Sequence, residues 1–182
     1  MKRRLGDTLV PEKPEPSKQE RHMRQIILRF LAVPTVLVAM AAITLGADNT
    51  MGTWKYNPAK SKAAPGVPAI TNLTVTREST PGGVKITAKG ERADGSKIDA
   101  VTDAKYDGKP VSVTGTGLPW DTTAIKQVNA DTVTEERSKQ GGKYHSTART
   151  VVSKDGKTMT STTKGTDGEG KAFTAIAVSE KQ

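Results

Sequence analysis

His145 is the only histidine after residue 22, and the chain contains no cysteine. A zinc site wants three or four nitrogen, sulfur or carboxylate ligands, so one imidazole beside Tyr144 is a poor start for a metal centre. A Ser-His-acid triad needs its serine on a strained turn, and no Gly-x-Ser-x-Gly occurs. Two carboxylate pairs stand close in the chain, Glu135-Glu136 and Asp99 with Asp103. Paired hydrolytic acids need surroundings that separate their pKa values. Adjacent strand residues point to opposite faces, so Glu135 and Glu136 do not meet directly, and both pairs read as solvated strand faces. Asp167-Gly168-Glu169-Gly170 lacks the ~12-residue loop and closing glutamate of an EF-hand. Gly115-Thr116-Gly117 lacks the helix of a phosphate loop. Both read as turns. The expectation is a noncatalytic protein with no catalytic residues, no metal and no cofactor.

The side chains left for function are large and apolar or aromatic: Trp54, Leu118, Trp120, Tyr144 and Phe173. They are the candidate lining of a small-molecule site. Leu118 and Trp120 flank Pro119 in an expected loop, where they either line the mouth of a barrel or plug its bottom.

The elements that must hold them are strands. Turn signals recur as Asp94-Gly95, Asp107-Gly108, Asp155-Gly156 and Asp167-Gly168, and as Gly82-Gly83 and Gly141-Gly142. Such pairs supply the positive φ of tight hairpins. Between them apolar and polar residues alternate, as strands require. Leu73 and Val75 share one face; so do Val84, Ile86 and Ala88. The next face carries Ile98, Ala100, Thr102, Ala104 and Tyr106. Later come Tyr144, Ser146 and Ala148, then Phe173, Ala175 and Ala177. The one helical candidate is a single turn within residues 57–64, with Pro58 at a first helical position. Nine or ten short strands joined by short turns predict an all-β, antiparallel up-and-down meander closed into a barrel, because closure removes exposed edges.

Composition limits the core and the partners. Apolar residues make up 34% and aromatics 4% of the 182 residues, against roughly 45–50% apolar, glycine included, in an ordinary domain. Thr, Ala and Val must therefore fill interior places that Leu and Phe usually take. The formal charge is +9, but residues 1–47 hold eight bases and four acids, leaving 20 bases against 15 acids beyond them. Those bases are scattered among acids with few aromatics between, which is a mixed-charge surface and not a nucleic-acid stripe.

The N-terminus reads as an address. Residues 30–45 are uninterrupted by charge, preceded by Arg21, Arg24 and Arg29 and followed by Gly46-Ala47. That is slightly over the ~7–15 residues of a signal h-region and short of the ~20 needed to span a bilayer. Residues 1–25 read as unstructured, with Met23 as the expected true start, and 26–47 as the signal segment, cleaved after Gly46. Residues 48–182 form the barrel. The expected location is periplasmic or secreted, the alternative being a membrane anchor through an uncleaved signal. No cysteine stands at the junction to take a lipid.

Gly52-Thr53-Trp54 at the opening of the first strand resembles the calycins, the superfamily of lipocalins and fatty-acid-binding proteins. The resemblance implies a ligand-binding barrel with Trp54 closing one end. No Arg-x-Tyr, the carboxylate clamp of the intracellular members, stands near the C-terminus, where Ala177-Val178-Ser179 is found. The region from Gly52 to Gln182 also resembles a group of uncharacterised exported bacterial proteins. The residues that carry this are Trp54-Lys55-x-Asn57-x-x-Lys60-Ser61, Ser153-Lys154-Asp155-Gly156-Lys157-Thr158 and Ser179-Glu180-Lys181-Gln182. The expected function is binding of a small apolar or amphipathic ligand by a monomer. The alternative is a filled structural barrel that meets an envelope component. Nucleic acid is not expected as a partner, and the membrane only through the signal segment.

Overall fold

The structure is a computed structural model that describes residues 47–182 apart from Pro65. The expected unstructured N-terminus and signal segment lie outside the described residues, all but Ala47. Among the described residues no helix is long and apolar enough to cross a membrane.

Eleven strands follow one another among the described residues: β1 (Gly52–Tyr56), β2 (Ile70–Thr80), β3 (Gly83–Arg92), β4 (Lys97–Lys105), β5 (Val111–Ser112), β6 (Thr114–Thr116), β7 (Thr122–Asn129), β8 (Thr132–Ser138), β9 (His145–Val152), β10 (Thr158–Thr166) and β11 (Ala172–Lys181). They form one antiparallel sheet in the order β5-β7-β8-β9-β10-β11-β1-β2-β3-β4-β6. The expected helical turn is a 3-10 turn at Pro58–Lys60, with the Asn57 side chain accepting from the Lys60 N–H.

The count exceeds the expected nine or ten because one short segment serves two neighbours. Val111 and Ser112 pair with β7, while Thr114–Thr116 pair with β4. Between them the Val113 N–H donates to the Asp121 carbonyl at 2.8 Å, still on the β7 side. The sheet's two ends are thus adjacent in the chain, and the sheet curls into a nearly closed barrel. This also corrects the expectation for Gly115-Thr116-Gly117. The first two residues are strand, not turn, because β6 presses against β4. A Cβ at Gly115, where φ is +107°, would lie 2.0 Å from the Asp99 carbonyl oxygen.

The turns use each aspartate as a local acceptor. Asp94, Asp107, Asp155 and Asp167 each accept from the backbone N–H two residues on, at 2.9–3.1 Å. Positive φ then falls on Gly95, Gly108 and Gly156, but in the last turn on Gly170 and not Gly168. The Asp167 carboxylate also accepts from the Lys171 N–H, which places the left-handed residue later in that longer loop.

The closed end of the barrel holds the core. Val84, Ala104, Ile125 and Val133 pack together with Met51, Tyr106 and Val111 against them. Beside them Trp54, wholly buried, packs on Val152 and Met159. Its indole N–H donates to the Thr50 carbonyl at 2.9 Å, and the Lys181 ammonium lies 5.2 Å from its ring centre. Residues 48–51 cross this end as a plug. Asn49 binds the β7–β8 turn at Ala130 and Asp131, and the Tyr106 hydroxyl donates to Asp48.

Gly115→Ala and Gly141→Ala separate conformational strain from closure. Gly141, φ +70°, has open space around its Cβ position, so its substitution should cost about 1–2 kcal/mol. Gly115→Ala adds a collision with β4 and should cost about 2–5 kcal/mol. Urea unfolding midpoints measure both, and equal midpoints would refute a closing role for β6.

Candidate functional site

The other end of the barrel is open, and a cavity of about 350 Å³ runs into it. Its existence follows from the inward-facing residue types. Leu73 and Val75 of β2, Ile86 and Ala88 of β3, and Ala175 and Ala177 of β11 all point inward, yet are only half-buried. Residues of these sizes leave the middle of the barrel unfilled.

Four of the five expected lining residues meet at this cavity: Leu118, Trp120, Tyr144 and Phe173. The loop between β6 and β7 supplies the first two; Tyr144 stands immediately before β9 and Phe173 at the start of β11. Trp120 stacks on Tyr144 with centroids 5.8 Å apart and planes at 24°, and Tyr144 meets Phe173 at 6.0 Å. Tyr144 is held by a hydrogen bond from the Ser146 hydroxyl to its own, 3.0 Å long. Trp54 does not reach the cavity; it belongs to the core at the closed end.

Deeper in lies a group of residues that sequence reasoning missed. Arg77 and Glu135 are each more than nine-tenths buried, and Arg137 stands beside them. Arg137 binds one oxygen of Glu135 through Nε and Nη2, at 3.0 and 2.7 Å. Arg77 Nη1 lies 3.6 Å from the other oxygen. Arg77 Nε donates to the Thr50 hydroxyl at 3.2 Å, which itself donates to Asp48 at 2.6 Å. On the mouth side the Arg137 guanidinium sits 4.6 Å from the Trp120 ring centre, close enough for a cation–π contact.

This corrects the expectation that Glu135-Glu136 forms a solvated face: only Glu136 is exposed. The available signal was strand phase. Arg77 follows Leu73 and Val75 at two-residue spacing, and Glu135 and Arg137 follow Val133. Asp99 and Asp103 are solvated as expected, Asp99 pairing with Lys89 at 3.1 Å, and His145 faces outward.

Two buried polar atoms have no partner among the described residues, Arg77 Nη2 and Thr123 Oγ1, and both residues line the cavity. Burial works to raise the Glu135 carboxyl, but Arg137 and Arg77 outweigh it and hold its pKa below the ordinary value. Tyr106, near this group, is pushed up to about 12, first by burial and then by its bond to Asp48. Among the described residues no group of three or more histidines and carboxylates is placed to hold a metal ion. No family model matches the chain, and no curated protein matches it.

Glu135→Gln leaves the buried Arg77 and the partly buried Arg137 without their counter-charge and should cost about 3–5 kcal/mol, the scale for breaking a buried ion pair. A carboxyl whose folded pKa is depressed lends stability above its unfolded value, 4.5, and loses it as pH falls through the folded one. The gap in urea stability between wild type and Glu135→Gln should therefore be full at pH 7 and shrink below pH 4.5. A gap that does not change with pH would show that the charge on Glu135 contributes nothing.

Proposed function

We propose that this protein is a noncatalytic binding barrel that holds a small apolar or amphipathic molecule in its interior. The observation that carries this reading is the open cavity of about 350 Å³, within the ~300–1,000 Å³ typical of small-molecule sites. Its walls are mostly aliphatic, and its rim carries a packed aromatic cluster. A filled structural barrel would have its centre occupied by side chains; here alanines stand where larger residues would fill it.

The leader-like composition of residues 26–47 supports an exported location for this activity. An exported carrier of this kind sequesters a poorly soluble molecule from water, and burial of that molecule's apolar surface drives binding. Trp120 is the natural reporter, since it stands at the rim while Trp54 is enclosed in the core. The resemblance to the calycins agrees with such a role.

Native mass spectrometry on protein purified from its own host tests the reading. A reproducible adduct that organic extraction removes is the expected result. The fluorescent probe 1-N-phenylnaphthylamine should brighten on binding and change Trp120 emission. Trp120→Ala should abolish that emission change with the far-UV spectrum intact. Ala175→Trp, which fills the middle of the cavity, should weaken probe binding by about tenfold or more, the loss of some 1.4 kcal/mol or above. A clean apo mass together with no probe binding would favour the filled structural barrel instead.

A further inference from the structure

We infer that the plug guards its own processing site: once residues 48–51 are seated in the closed end, the Gly46–Ala47 bond is shielded from the signal peptidase, so cleavage must precede closure of the barrel. The inference goes beyond ligand binding and rests on the reading of residues 26–47 as a signal segment.

The reaction is hydrolysis. Water adds across the Gly46–Ala47 amide, leaving a carboxylate on Gly46 and a free α-amino group on Ala47. An endopeptidase has to hold the chain on both sides of the bond it cuts, so susceptibility depends on how firmly the neighbouring backbone is engaged. Ala47 is exposed, but the engagement begins at the next residue. One Asp48 carboxylate oxygen accepts from the Thr50 N–H at 2.9 Å and the Thr50 hydroxyl at 2.6 Å, and the other accepts from Tyr106. The Asp48 carbonyl accepts from the Met51 N–H at 3.2 Å, closing a turn that starts one residue past the bond. The Asn49 N–H donates to the Ala130 carbonyl at 2.8 Å, and its side chain donates to Asp131.

The turn is anchored deeply. Thr50 is wholly buried. Its carbonyl takes the Trp54 indole N–H and its hydroxyl takes Arg77 Nε–H, while Met51 packs on Val84, Ala104, Ile125 and Val133. These partners come from β1, from β2, from Tyr106 just after β4, and from the β7–β8 turn. The plug therefore gains its contacts only when strands from across the sheet have assembled. Until then residues 48–51 lack those partners and the bond is open to the peptidase. Afterwards the bond is reached only through local opening, and cleavage follows the population of the open form.

The test uses the full-length precursor in detergent micelles with purified signal peptidase, and intact mass reports the loss of residues 1–46. The precursor is presented either refolded beforehand or diluted from urea straight into the peptidase. The refolded form should be cut about tenfold or more slowly, the scale of losing one net hydrogen bond on opening. Asn49→Ala and Tyr106→Phe each remove one tie of the plug and should speed cleavage of the refolded precursor several-fold. Gly141→Ala, in the β8–β9 turn next to the mouth, strains the barrel without touching the plug and should not. Tyr106→Phe carries this comparison if Asn49→Ala does not fold. Equal rates for the two presentations, or acceleration by Gly141→Ala as large as that by Tyr106→Phe, would overturn the guard while leaving the signal segment standing. No cleavage in either presentation would overturn both.

Discussion

The barrel depends on the hand-over of one short segment from β7 to β4. The other nine strands form a run of antiparallel neighbours with β7 at one end and β4 at the other. Left open, those ends would present rows of unpaired backbone groups. Residues 111–116 pair with β7 through their first half and β4 through their second. Glycine makes this possible, since Cβ atoms at Gly115 and Gly117 would lie 2.0 and 2.2 Å from carbonyl oxygens of β4. The same segment turns Val111 into the core and Val113 onto the cavity wall. Edge protection and interior packing are thus one event.

Closure alone would not leave a cavity; the distribution of side-chain size does that. With 34% apolar residues, the chain has few large side chains to place. Trp54, Ile125, Val84 and Val133 fill the closed end, while Leu118, Trp120, Tyr144 and Phe173 gather toward the mouth. Between them the inward positions carry Ala88, Ala100, Ala175 and Ala177, with Thr102, Thr123 and Ser161. A scarcity of large apolar residues spread evenly would give a loose core. Concentrated in one layer, it gives a tight end and an empty middle.

Much of the strand architecture was legible because it is local. Two-residue alternation placed Val84, Ile98, Ala100 and Ala104 inside, and Asn57-Pro58 marked the single helical turn. What was not legible depends on partners far along the chain. Gly115-Thr116-Gly117 looks like a turn until β4 lies against it. Glu135 looks like a solvent residue until Arg77 arrives from β2. Strand phase pointed Arg77 and Glu135 inward, but a charge at such a position is read as exposed unless its counter-charge is known. The meeting of Trp120, Tyr144 and Phe173 was suggested by residue type, while their stacking required the register of the whole sheet.

The buried ions are the least economical part of this interior. Desolvating each costs several kcal/mol, and apolar replacements of similar volume are often neutral or stabilising. In a domain whose whole stability is on the order of 5–15 kcal/mol, stability alone gives no reason for Arg77, Glu135 and Arg137 to be there. Their contacts form a line instead: Asp48 in the plug, Thr50, Arg77, Glu135, Arg137, and then the Trp120 ring toward the mouth. One guanidinium thus touches both the plug of the barrel and its cavity.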